Sequence, residues 1–207
     1  VRIVGIDLSL TGTGLAEITL RPGELDELAS VQTSVVAVAK AVKDPQLQDD
    51  FDRQTQITER VMDWVKGPMH FTSPVNLPDL VVIEKLFNST TSAGMLIERA
   101  GLWWRIVGSM LCWNIPVVHA VQSQGKKFLT GSGNADKGAM AMYASKLYPQ
   151  WTPATMKNAN DEADAIAMAS IGVGLMASDV DWPFPITDYR QKIIDDINTK
   201  QKLREPA

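Results

Sequence analysis

The sequence is poor in the residues that usually build soft metal sites and covalent crosslinks. Cys112 is the only cysteine among 207 residues, and there are two histidines. A single cysteine excludes an internal disulfide and a cysteine-rich zinc site, and it fits a reducing compartment, by default the cytoplasm. Long apolar runs are also missing. The longest stretch without Asp, Glu, Lys or Arg, from Ile106 to Gly125, contains Asn114, Pro116, His119, Gln122, Ser123 and Gln124, so a membrane span is not expected. No basic flank followed by a small-residue cleavage site marks a signal peptide, and the protein is expected to be soluble. Positive charge is not in excess either. The formal net charge of -4 argues against a surface coated in basic residues, while leaving room for a nucleic-acid partner held by one local patch.

What is present suffices for a core. Hydrophobic residues make up 45% of the chain, and nothing in its make-up asks for more than one domain. We read that domain over residues 1–178. A C-terminal extension follows over 179–207, carrying Pro183, Pro185 and mixed charge, and the sequence assigns it no role. RIVGIDL (2–8) and TGLAEIT (13–19), parted by Ser9, Leu10, Thr11 and Gly12, form a hairpin pattern. A third strand is expected over about 30–38. Leu47, Phe51, Ile57, Val61, Trp64 and Val65 recur near helical spacing, which predicts an amphipathic helix over 47–66. Pro68, Pro74 and Pro78 then punctuate a loop before a short buried strand, DLVVIEKLF (79–87). A helix from Ser92 to Trp113 has apolar positions around most of its circumference, and the strand IPVVHAV (115–121) comes next. Helical segments over 122–129 and 136–147 flank a turn at Thr130-Gly131-Ser132-Gly133-Asn134, and a last core helix begins near Asn160. Strands alternating with helices after an antiparallel meander imply an α/β fold, a mixed sheet with helices on its faces.

Several acids sit where acids are costly. Asp7 follows Ile3, Val4 and Ile6, and Glu84 follows Val81, Val82 and Ile83, so each lies on or at the end of a buried strand. Either alone could simply end its strand facing solvent. A third cluster, Asn160-Asp161-Glu162-Ala163-Asp164, opens a helix that is otherwise almost uncharged. Asp161 and Asp164 share one helix face, while Glu162 points about 100° away from Asp161. Ordinary preference for acids in a first helical turn explains Asp161 and Glu162 better than it explains Asp164, which stands beside an apolar face. If the four carboxylates converge, their repulsion calls for a divalent cation, and hard oxygen ligands suit Mg2+ or Mn2+. Two such ions can activate a water and stabilise the leaving oxygen in a phosphodiester displacement.

In order and spacing, GIDLSLTGTGLA, VVIEKLF, KKFLTGSGNADKGAM and DEADAIAMA resemble motifs of the RuvC family of Holliday junction resolvases, over residues 2–177. The resemblance implies an RNase H-like fold with a mixed five-stranded sheet and helices on both faces. It also implies a metal-dependent endonuclease that cuts branched DNA, above all four-way junctions, by paired symmetric nicks with two Mg2+ ions per site, Mn2+ substituting. Asp7, Glu84, Asp161 and Asp164 would be its catalytic metal ligands. Lys126 and Lys137 match the family's two lysines near the scissile phosphate, where positive charge stabilises the transition state. Lys127 could share the role of Lys126. Phe87 matches an aromatic near the junction centre that could stack on a base, with core packing as the alternative. The central insert and the extension after 178 look like those of a bacteriophage member, which would act in the host cytoplasm.

GIDLSLTGTG also resembles the first phosphate loop of sugar kinases and actin-like ATPases, but that reading needs a duplicated domain and a second glycine-rich loop. A broader flap or fork endonuclease, or a DNA-binding module without chemistry, are the other readings. Paired cuts require two sites related by a two-fold axis, hence a homodimer. The Ser92–Trp113 helix, with Leu96, Trp103, Trp104, Ile106 and Met110, is the interface candidate.

Overall fold

In a computed structural model, residues 1–21, 29–38, 45–67, 76–86, 93–176 and 183–201 are described. Five strands lie in one sheet in the order β3-β2-β1-β4-β5. β1 (Arg2–Asp7), β2 (Gly12–Leu20) and β3 (Ala29–Ala37) form an antiparallel meander, with Asp7 paired to Gly14 and Ala16 to Thr33. β4 (Leu80–Glu84) runs parallel to β1 on its other side, and β5 (Val117–Ala120) runs parallel to β4 at the edge. The order of elements and the mixed sheet are those the sequence pattern implies.

Side chains alternate across the sheet and so feed two cores. Val4, Ile6, Val81 and Ile83 pack with α1 (Leu47–Lys66) and α2 (Ala93–Cys112), including Ile57, Val61, Val65, Leu102, Ile106 and Met110. Ile3, Ile18, Leu80 and Val82 face the opposite layer, α3 (Gln122–Thr130), α4 (Lys137–Leu147) and α5 (Ala159–Met176). α5 is buried along nearly its whole length and lies directly on the sheet. Glycine makes that approach possible: a Cβ on Gly5 would come within 2.2 Å of the Ala165 carbonyl oxygen and 2.3 Å of the Ala169 nitrogen. Helix backbone therefore rests on strand backbone.

Three details depart from the sequence reading. Leu47 and Phe51, counted on the apolar face of α1, are 87% and 53% exposed. Phe51 instead lies beneath the Arg105 guanidinium at 4.6 Å, so its ring is used as a cation–π platform. α2 buries Leu102, Ile106, Val107 and Met110 but leaves Ile97, Trp104 and Leu111 exposed, one stripe at seven-residue spacing. The segment after 178, read as an extension with no assigned role, contains α6 (Asp188–Lys200), which buries Ile193, Ile194 and Ile197 in the α3–α5 layer.

α6 is tied down by polar contacts as well. The Arg190 guanidinium, buried between the Phe128 and Phe184 rings, donates to the carbonyls of Phe128 and Pro185 at 2.9 and 2.6 Å. Just beyond α6, the Gln201 side-chain amide donates to the His119 carbonyl at 2.7 Å and accepts from the His119 N–H at 2.9 Å, on the outer edge of β5. Among the described residues, no helix is long and apolar enough to cross a membrane.

Candidate active site

Strand register puts the first two acids together. Ile6 lies beside Ile83 in the parallel β1–β4 pair, so one step further the strands end on Asp7 and Glu84, about 5 Å apart by strand spacing. Alternation then decides which way they face. Ile3 and Gly5 point at the α5 layer, as do Leu80 and Val82, and two residues on Asp7 and Glu84 point there too. α5 meets them with Asp161 and Asp164 in its first turns. Gly14, the cross-strand partner of Asp7, provides the seat: a Cβ there would fall 2.1 Å from the Asp161 carbonyl oxygen. A Cβ on Gly12 would stand 3.1 Å from Asp161 Oδ2.

The four acids act on one another electrostatically. Burial, then the Glu84 and Asp164 charges, a hydrogen bond with the Glu84 side chain and the Asp161 charge hold the Asp7 carboxyl well above its ordinary range. A hydrogen bond between two carboxyls needs a proton on one of them. Asp164 is pushed up to about 6, chiefly by burial, with Lys126 and Lys137 pulling it down while Glu84 and Asp161 push it up. Asp161 is raised by burial, opposed by Lys137 and assisted by Glu162. Acids driven toward their neutral forms in this way are what a low-dielectric, like-charged cluster produces.

The two lysines approach from α3 and the start of α4, on either side of a turn whose Gly131 takes a left-handed φ of 85° and ends α3. Lys126 is half-buried and Lys137 exposed. Both act on Asp164, and Lys137 acts on Asp161 also. Lys127 is exposed on the same helix as Lys126. Phe87 lies outside the described residues.

Glu162 is turned away from this cluster. Its side chain is fully buried, and its carboxylate accepts from Thr33 Oγ1 at 2.7 Å, Trp151 Nε1 at 3.3 Å and the Ala154 N–H at 3.3 Å. This arrangement has no signal in the local sequence, because its donors come from β3 and from the loop before α5. A second contact was equally hidden: the Trp103 indole N–H donates to the Glu84 carbonyl at 2.9 Å, tying α2 to the end of β4.

Among the described residues, no three Asp, Glu, His or Cys side chains are already drawn together as a metal cage. The donor set nevertheless fits a hard divalent ion. Asp7, Glu84, Asp161 and Asp164 offer carboxylate oxygens alone, and the burial and like charge that raise Asp7 and Asp164 are what such an ion would offset.

No family model matches the sequence. A crossover junction endodeoxyribonuclease RuvC from Parafrankia sp. (strain EAN1pec) is 27% identical over 169 residues, covering 81% of this chain and 83% of that one. Among solved structures, RuvC of Thermus thermophilus superposes with a TM-score of 0.59 at 20% identity, over 86% of this chain and 98% of that one. T. thermophilus RuvC in complex with a Holliday junction substrate gives 0.60 at 20% identity, over 81% and 90%. The five-stranded mixed sheet with helices on both faces is thus the RNase H-like fold of RuvC, as the sequence motifs imply.

Proposed function

We propose that this chain is a metal-dependent DNA endonuclease that resolves four-way junctions by paired symmetric nicks. The observation that carries the reading is the electrostatic coupling of Asp7 to Glu84, Asp161 and Asp164, with Lys126 and Lys137 acting on Asp164, on a fold shared with a protein solved in complex with a Holliday junction. The sequence similarity to RuvC enzymes over most of both chains supports it.

The four carboxylates would hold Mg2+, or Mn2+ in its place, and two such ions would supply an activated water and charge stabilisation at the leaving oxygen. The rest of the chemistry falls to the chain itself. The acids must give up the protons that burial and mutual repulsion favour. Lys126 and Lys137 place positive charge beside the scissile phosphate, and Lys127 adds a backbone contact. Phe87, three residues past Glu84, stacks on a base near the exchange point.

Two cuts on opposing strands need a second copy of the site, and the exposed stripe Ile97–Trp104–Leu111 on α2 is the face we assign to a homodimer. We read the protein as a bacteriophage member acting in the host cytoplasm. The test compares cleavage of a four-way junction, a flap, a fork and linear duplex at equal protein concentration in Mg2+, with Asp7→Asn alongside. Symmetric junction nicks lost in Asp7→Asn are expected. Full activity in that variant would sink the site, and equal cutting of flaps and forks would replace junction resolution with a broader branched-DNA activity.

A further inference from the structure

We propose that Glu162 is a positioning residue: its carboxylate, buried on Thr33 and Trp151, sets the rotation of the first turn of α5 and so the aim of Asp161 and Asp164. The inference rests on the reading of those two acids as metal ligands. Successive helical residues turn by about 100°, so Glu162 projects roughly 160° away from Asp164 and 100° from Asp161. Anchoring Glu162 on one side of the helix fixes what the other side presents. The anchor reaches two separate parts of the chain. Thr33 Oγ1 donates from β3, the edge strand, at 2.7 Å, and the Trp151 indole and the Ala154 N–H donate from the segment that leads into α5. Trp151 Nε1 also reaches Thr33 Oγ1 at 3.2 Å, which closes the three side chains into one network.

The sheet supplies a hard floor for the same turn. With Asp161 backbone seated on Gly14, the start of α5 cannot sink toward the sheet, while rotation about its own axis is not blocked by that contact. A fully buried carboxylate opposes that motion, because turning it out of place would leave it and its donors without partners in a dry interior.

The experiment measures Mn2+ binding by calorimetry without DNA, together with the thermal midpoint, junction affinity in Ca2+ and the Mn2+ dependence of cleavage. Thr33→Val keeps shape and charge but removes the donor. It is expected to weaken Mn2+ binding at least fivefold and to lower kcat at limiting Mn2+, with KM for the junction unchanged within twofold. Thr33→Ser, which restores the hydroxyl, should recover wild-type binding. Glu162→Gln should show at least the same loss. Should it fail to fold, Thr33→Val decides the matter. Wild-type Mn2+ affinity in folded Thr33→Val overturns the inference alone, and a loss confined to Glu162→Gln overturns it too, since charge rather than position would then be responsible. Absence of Mn2+ binding in the wild type overturns the metal-site reading, and this inference with it.

Discussion

Asp164→Asn is expected to make the metal-free protein more stable at pH 8 while ending cleavage. In the folded chain this carboxyl is pushed from an ordinary 3.8 to about 6, by burial first and by Glu84 and Asp161 after it, even with Lys126 and Lys137 pulling the other way. At 1.36 kcal/mol per pH unit, the ionised form costs the fold about 3 kcal/mol. The sign follows from proton counting. Between 3.8 and about 6 the folded chain holds a proton that the unfolded chain has lost, so stability falls as pH rises through that window, and the cost is complete above it.

Asparagine carries no charge to bury, so its advantage should be about 3 kcal/mol at pH 8 and vanish near pH 3 to 4. For a chain of this length that corresponds to roughly 6–12 °C in thermal midpoint. Scanning calorimetry of both proteins in EDTA, from pH 4 to 8, reads it directly. Saturating Mg2+ should close much of the gap by stabilising only the wild type, by about 2.7 kcal/mol at a hundredfold excess over Kd. Equal midpoints at pH 8, or an advantage that does not change with pH, would refute the argument that Asp164 is ionised at a cost.

Three further outcomes follow from the geometry. Lys137→Ala should lower the single-turnover cleavage rate by tenfold or more with little change in junction affinity; a purely affinity effect with an altered salt slope would make it an ordinary phosphate contact. Gly14→Ala would place a methyl 2.1 Å from the Asp161 carbonyl oxygen, so a loss of about 1–3 kcal/mol is expected in urea unfolding, with Mn2+ binding weakened further than stability. Trp104→Asp puts a charge in the exposed α2 stripe and should yield monomers in sedimentation velocity with an unchanged midpoint; an unaltered sedimentation profile would move the interface elsewhere.

The strand acids were legible because alternation is a local property. Once Ile3 and Leu80 face α5, Asp7 and Glu84 must as well, and the D-x-x-D spacing puts Asp161 and Asp164 on the facing side of the helix. The glycines that let α5 touch the sheet were visible only as residues, since which backbone approaches them is settled by tertiary packing. Glu162 shows the limit most clearly. Its separation of about 100° from Asp161 was readable, but its donors at Thr33, Trp151 and Ala154 belong to other parts of the chain. α6 escaped notice because its buried face rests on Ile193, Ile194 and Ile197, barely more than one turn of apolar pattern within a charged stretch. Leu47 and Phe51 erred in the opposite sense, fitting a helical apolar face that α1 does not bury at its start.

The grip of Gln201 on His119 makes the open border of the sheet conditional on the chain's own C-terminal helix. β5 is only four residues long, and a side-chain amide that mimics a peptide group fills both hydrogen-bonding positions of one of them. A strand from another molecule could not pair along β5 without first expelling that amide. Detaching α6 would therefore remove two protections at once, uncovering the apolar surface that Ile193, Ile194 and Ile197 cover together with a free strand edge. Truncation before residue 188 should show itself first as self-association of the sheet, a loss of solubility that precedes any loss of the carboxylate cluster at the far ends of β1 and β4.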